Sequence, residues 1–280
     1  ERGEIFFGDR KTPLATNIEK FVLYIYPSKV DKKRELSQVL SDILNTSPES
    51  ILEKLQGGKT FREEVGEKAI SKIKKENFKG ISWQKFEKRI YPQKSLAGRV
   101  IGFVNEAGKG QYGIEGYYNK ILEGKEGFIR KDKAPFGYLV SFSGGGFEPP
   151  KNGEGLILTL DFNIQYFSQN LLEEAFKEWK IDSGQIIVEN PLTGEILALA
   201  EFPSFDPNRY QEVSTLREFI SDSVQKLFEP GSVLKALTMA AALQEKEVTP
   251  DTTYEDVGFV KLGGKPIYNY HRKVWGKETM

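Results

Sequence analysis

The chain has 280 residues, enough for roughly two domains at about 150 residues each. Apolar residues make up 39% and charged residues 29%, with 19 Phe and 12 Tyr, which supports packed cores and excludes a disordered chain. Lys+Arg and Asp+Glu both number 40, which argues against general nucleic-acid binding; the lack of Cys excludes disulfides, zinc–thiolate sites and a cysteine nucleophile, and one histidine, His271, excludes a multi-histidine metal site.

The zero net charge conceals an asymmetry. Residues 1–150 carry 27 Lys/Arg against 20 Asp/Glu, a net of +7, and residues 151–280 carry 13 against 20, a net of −7. Two domains in different surroundings would carry such a split. The basic half fits an anionic lipid or wall-polymer surface, and equally a plain solvated lysine-rich surface. No stretch reaches the roughly 18–20 apolar residues of a membrane span. The start at Glu1, with no signal peptide, reads as a trimmed chain.

The run Phe21–Tyr26 is rich in strand formers. Leu36, Val39, Leu40, Ile43 and Leu44 make a helical stripe over 32–44. Ser47-Pro48-Glu49 starts another helix, with a capping Ser, Pro at the first position and an acid for the dipole. Residues 62–76 are expected to form a charged helix, and 81–91 an extended stretch ended by Pro92. Between 96 and 122, short apolar pieces alternate with glycines, and 114–122 reads as a short helix. Gly108, Gly110, Gly113 and Gly116 have the wrong order for a phosphate-cradling loop and read as turns.

Ser141–Gly146, Pro149-Pro150 and the expected turn Asn152–Gly155 suggest a linker, so the expected boundary divides 1–150 from 151–280. Leu156–Leu160 reads as a strand. Asp161 is expected to cap a helix to about Lys180 that buries Ile164, Phe167, Leu171, Leu172 and Phe176. Two apolar runs flank Asn190–Gly194, a hairpin signal. The expected class is α+β, an antiparallel sheet against helices. Trp179 and Trp275 are expected to pack, Asp206-Pro207-Asn208 to form a shaping turn, and His271 to sit on a surface loop.

The most informative stretch is Phe228-Glu229-Pro230-Gly231-Ser232, followed by an apolar, alanine-rich helix expected to be buried nearly all round. Lys235 lies three residues after Ser232, within side-chain reach on one helical face. Burial of a Lys favours the free amine that a general base needs, and a helix N-terminus favours negative charge on a serine oxygen. That is a design for an activated serine without histidine. The bare spacing is unspecific, because it also occurs at Ser71/Lys74, Ser82/Lys85 and Ser223/Lys226. Those lie on a charged helix, an extended stretch and a polar segment. Only Ser232 has Pro-Gly before it and an apolar helix after it. On pattern alone, Ser232 reads equally well as a plain helix cap.

Longer motifs decide between these readings. Arg2-Gly3-x-Ile5 with Asp9-Arg10, then Arg89-x-Tyr91-Pro92, Leu96-Ala97, Ile101–Val104 and Gly113-Ile114-Glu115 resemble the membrane-proximal and pedestal segments of class B penicillin-binding proteins. Leu158–Asp161 with Ile164-Gln165, then Ala200-x-x-Pro203-x-x-Asp206-Pro207-Asn208 and Glu229-Pro230-Gly231-Ser232-x-x-Lys235 resemble the first part of their transpeptidase domain.

The resemblance implies a pedestal over 1–150 and the start of a serine β-lactamase-like transpeptidase domain over 151–280. It implies Ser232 as acyl-enzyme nucleophile, Lys235 as its base and the Ser232 backbone N–H as half of an oxyanion hole. The implied partners are a D-Ala-D-Ala stem peptide, β-lactams and a polytopic glycan polymerase. No cofactor, metal or nucleic acid is implied. The implied location is the outer face of a bacterial membrane, with an anchor upstream of residue 1. The spacing before Asp9-Arg10 is longer than the family's. The family's Ser-x-Asn and Lys-Thr-Gly motifs do not follow Lys235, so the 280 residues are expected to cross-link poorly alone. A non-catalytic scaffold or sensor, and a carboxypeptidase or β-lactamase, are the alternative functions.

Overall fold

The structure, a computed structural model, describes residues 1–129 and 147–280. The expected glycine linker Ser141–Gly146 lies outside the described residues. The chain forms two compact units, Glu1–Lys226 and Leu227–Met280.

In the first unit, β1 (Ile5–Phe6) turns into the long strand β2 (Pro13–Ile25). Asp9 makes that turn: its carboxylate accepts the backbone N–H groups of Lys11 and Thr12 and the Thr12 hydroxyl. The Thr12 hydroxyl, above all, holds the Asp9 carboxyl below its usual range. Next come α1 (Lys33–Leu44), α2 (Pro48–Gln56), β3 (Phe61–Val65), α3 (Glu67–Glu76) and β4 (Ile81–Ile90). Both β3 and β4 pair antiparallel with β2.

One core forms where Leu23, Ile25 and Val65 meet three amphipathic helices. Leu36 and Leu40 come from α1, Ile51 and Leu55 from α2, and Ile70 and Ile73 from α3, each pair one turn apart. Ser47 caps α2 by accepting the Ser50 N–H at 3.3 Å, and Asn45 and Asn77 end α1 and α3 in the left-handed region. The expected helix over 62–76 is therefore two elements. Phe61–Val65 alternates half-buried and exposed residues and completes the sheet beside β2, and Gly66 separates it from α3.

The second core spans the rest of the unit. After α4 (Gly98–Ile101), β5 (Phe103–Val104) and β6 (Gly110–Gln111), the expected helix over 114–122 is split at Tyr118 into α5 (Gly113–Tyr117) and α6 (Asn119–Leu122). A short pair, β7 (Phe128–Ile129) and β8 (Phe147–Glu148), precedes β9 (Leu156–Ile157), which runs parallel to β1. Residues 152–155 lead into β9 and make no turn. Gly153 is obligatory there, because a Cβ would lie 1.8 Å from the Leu122 carbonyl oxygen. Ile5, Phe7, Leu14, Ile101, Phe103, Leu122, Leu160, Phe205 and Phe219 pack as one cluster, with Phe103 stacked on Tyr210 at 4.1 Å. Asn208 ties the late segment to the early one: its amide accepts the Tyr91 N–H at 2.9 Å and donates to the Tyr91 carbonyl at 2.8 Å. The Asp206–Asn208 turn thus shapes the unit as expected.

An ionic group sits inside this core. Glu115 is fully buried between Arg2 and Arg89, whose side chains are 10% and 6% exposed. Arg2 Nε and Arg89 Nε each donate to one carboxylate oxygen at 2.8 Å. The Tyr91 hydroxyl donates to the same oxygen as Arg89, at 3.2 Å. Burial, and then the Glu115 charge, push the Tyr91 phenol far up, so it stays protonated and donates. Asn119 accepts from Arg2 at 2.9 Å, and Asn17 from Arg89 at 3.2 Å.

The helix α7 (Phe162–Trp179) is capped by Asp161, which accepts the Asn163 and Ile164 N–H groups, and it packs on β11 of the hairpin β10 (Gly184–Glu189) and β11 (Ile196–Phe202). The buried face is not the expected apolar stripe. It consists of Gln165, Ser168, Gln169 and Leu172, whereas Phe167, Leu171 and Trp179 are 66%, 56% and 70% exposed. The reason is hydrogen bonding. Gln165 donates to the Leu199 carbonyl at 3.0 Å and accepts its N–H at 2.8 Å; Gln169 accepts the Ala97 N–H at 3.1 Å and donates to the Ser95 carbonyl at 3.1 Å. The amides satisfy backbone groups that the short sheet leaves open.

Two stability predictions follow from these contacts. Glu115→Gln leaves two buried arginines short of charge and should cost about 3–5 kcal/mol in equilibrium urea unfolding, against about 1 kcal/mol for Tyr91→Phe. Gln165→Leu should destabilise by about 2–4 kcal/mol despite being an apolar change on a core face, because it strands the Leu199 N–H and carbonyl. A neutral result would remove the bracketing role of Gln165.

Candidate active site

The second unit, Leu227–Met280, holds the expected nucleophile. Pro230 adopts φ −69°, ψ −21°, and Gly231 adopts φ +58°, a value that strains any residue with a Cβ. Ser232 sits in the 3-10 turn Gly231–Val233, which leads without a break into α9 (Leu234–Gln244). Lys235 is the second residue of α9, so the two residues lie about one turn apart at the same helix start. Both are exposed. The site therefore offers a hydroxyl and an amine on one turn.

Within these 280 residues the expected all-round burial of α9 is not seen. Leu234 and Leu237 are 49% and 66% exposed, and only Met239 and Ala242 are half-buried. The unit supplies no layer to cover the helix. Its strands β12 (Thr253–Asp256), β13 (Phe259–Leu262), β14 (Lys265–Tyr268) and β15 (Gly276–Thr279) form separate two-stranded sheets, β12 with β15 and β13 with β14. No hydrophobic side chain after Lys226 is buried.

Asp256 organises this unit, a role the sequence reading missed. Its carboxylate accepts the N–H groups of Gly258 and Trp275 and the Asn269 side-chain amide at 2.7–3.0 Å. The Gly258 bond, first, holds its carboxyl below the usual range. The spacing Asp256-x-Gly258 is the signal that could have revealed it, since Asp bonds locally to backbone two residues on. His271 is an exposed loop residue at φ +55°, as expected. Trp275 is not packed: it is 57% exposed, with the Lys273 ammonium 3.6 Å from its ring centre. Ser71 lies on the charged helix α3 and Ser82 on β4, as the sequence suggests, whereas Ser223 lies on a short helix, α8 (Asp222–Gln225), with its hydroxyl buried.

Known proteins place these features in a family. Residues 1–158 match the family described as Penicillin-binding Protein dimerisation domain, and residues 184–280 match the Penicillin binding protein transpeptidase domain. Stage V sporulation protein D of Bacillus subtilis is 30% identical over 292 residues, covering 100% of this chain and 44% of the relative. The probable peptidoglycan D,D-transpeptidase PbpC of Pseudomonas aeruginosa is 30% identical over 268 residues, covering 93% and 47%. Penicillin Binding Protein 2X from Streptococcus thermophilus, solved at 1.95 Å, shares the fold with a TM-score of 0.72 at 20% identity, over 96% of this chain and 44% of that one. The chain spans about half the length of the curated relatives it matches. With a dimerisation domain preceding a transpeptidase domain, and the Ser232-x-x-Lys235 turn inside the second, the chain belongs to the class B penicillin-binding proteins.

Proposed function

We propose that the whole protein is a peptidoglycan D,D-transpeptidase in which Ser232 is the nucleophile and Lys235 its base. The observation that carries this reading is the Pro230-Gly231 turn, with Gly231 at positive φ, which leads Ser232 into a helix start one turn from Lys235 within the span that matches the transpeptidase family.

Ser232 Oγ attacks the carbonyl carbon between the last two D-Ala residues of a stem peptide, and its proton passes to Lys235 Nζ. The Ser232 N–H is one donor for the oxygen that becomes negative. The C–N bond breaks and D-Ala leaves as an amine, taking the proton. An amine of a neighbouring stem then attacks the ester, forms the cross-link and frees Ser232. A β-lactam enters the first step only: its amide is in a ring, so no fragment departs and the whole molecule stays on Ser232. The partners on this reading are the stem peptide, β-lactams and a polytopic glycan polymerase. The location is the outer face of the bacterial membrane. Pedestal and transpeptidase domains meet near residue 150.

Intact mass after penicillin treatment tests this. The full-length protein should gain one penicillin mass, and Ser232→Ala should gain none. Lys235→Arg keeps the charge but holds its proton, and should slow acylation by about 10²–10⁴-fold. No adduct on folded full-length protein would favour the scaffold function instead.

A further inference from the structure

An open edge of the first unit's sheet lies on β4, which is ten residues long and pairs only with β2 among the described residues. The Tyr26 N–H donates to the Gly80 carbonyl at 2.8 Å, and these two residues stand opposite each other one step beyond the Ile25–Ile81 pair. In an antiparallel ladder such bonded pairs alternate, so the even-numbered residues of β4 bond to β2. Trp83, Lys85 and Glu87 therefore turn their backbone N–H and carbonyl groups away from the sheet. Tyr91 points the same way, and the Asn208 amide closes the edge there. From Ile81 to Glu87 the edge has no bonded partner among the described residues.

A lone edge lysine keeps a second strand away. Lys85 is not alone, because Glu87 follows it on the same face. Within one copy Lys85 forms an ion pair with Glu19, and Glu87 stands opposite Glu19, a like charge. A second copy can answer Glu87 with a cation. A twofold antiparallel ladder sets outward residues against outward residues, so only its centre has to be chosen. Centred on Lys85, it opposes Lys85 to itself. Centred on Glu87, it opposes Glu87 to itself and Lys85 to Arg89. Centred on Gln84, it gives neither residue a charged partner. Centred on Phe86, each Lys85 meets the partner's Glu87, and the two Phe86 side chains meet on the other face. Opposite charges across a ladder stabilise it and like charges destabilise it, so the Phe86 register is selected. Pairing then runs from Trp83 to Arg89 in each copy and stops where Asn208 covers Tyr91.

We propose that β4 is a self-association edge: two copies of the chain pair their β4 strands antiparallel about Phe86, so that the sheet of one continues into the sheet of the other. The occupant is a second copy because the charges of β4 complement themselves in that register. The proposal uses residues of the first unit alone and is independent of the assignment of Ser232.

Introduced thiols read the register in the full-length protein, with the wild type as background. In this register the two Phe86 Cα atoms lie about 4.5 Å apart, inside disulfide range, and the two Gln84 positions about 13 Å apart, outside it. Under mild oxidation Phe86→Cys should form a disulfide-linked dimer. Gln84→Cys and Lys88→Cys should each stay monomeric, whereas a mixture of the two should cross-link, since Gln84 faces the partner's Lys88. Sedimentation should show a wild-type dimer that Lys85→Glu weakens about 10- to 100-fold. Adding Glu87→Lys to Lys85→Glu should restore it, a rescue expected only if the two positions meet across the twofold axis. A folded Phe86→Cys variant that stays monomeric would overturn the proposal, whether its thiol reacts with a maleimide or is covered by another segment of the full-length chain. Cross-linking of Gln84→Cys alone as fast as Phe86→Cys would overturn the register and the self-complementarity on which the proposal stands.

Discussion

The carboxylate of Glu115, held between two buried arginines, is the constraint around which the first unit is arranged. A lone charge at that depth would cost several kcal/mol in lost hydration, so its partners cannot be optional. Those partners come from the first residues of the chain (Arg2), from the end of β4 (Arg89) and from just beyond it (Tyr91). Each is in turn tied to a second segment, Arg2 to Asn119 and Arg89 to Asn17. The backbone follows the same centre. A Cβ at Gly110 would lie 2.0 Å from the Glu115 carbonyl oxygen, so only glycine lets β6 pass the start of α5. Strand β2 then carries the order outward, because its early residues Leu14 and Ala15 line this core and its late residues Leu23 and Ile25 line the other.

The same logic explains α7. An amphipathic helix is expected to bury its apolar face, and this one buries glutamines. The choice follows from what it meets. The chain around Ser95–Ala97, and Leu199 of β11 on the side away from β10, present backbone groups that no strand pairs, and an amide that gives and takes hydrogen bonds is a better neighbour than a methyl group.

Local signals were legible in the sequence and distant partners were not. The helices α1 and α2, the Ser47 and Asp161 caps and the β10–β11 hairpin are written within a few residues of themselves, and they stand where expected. Phe61–Val65 is a strand because β2 lies beside it, some forty residues away, and its own charged sequence carries no sign of that. Arg2, Arg89 and Glu115 could be picked out as separate motifs, yet nothing in their spacing says that they meet. The turn before Ser232 was legible because Pro-Gly punctuation is local. The burial assigned to its helix was not, because burial is a property of neighbours.

That contrast divides the chain into two kinds of order. Before Lys226, position is enforced by partners far apart in sequence: Arg99 reaches residues 220 and 222, and Asn208 brackets Tyr91. From Leu227 on, the elements are set by short-range geometry, a positive φ at Gly231, a 3-10 turn and the Asp256 carboxylate bonding within twenty residues of itself. In this turn Ser232 and Lys235 stand one helical turn apart at the start of α9. What the local code cannot supply is the direction in which that turn is presented. Direction requires neighbours packed against α9, and within this chain Leu234 and Leu237 have none that bury them.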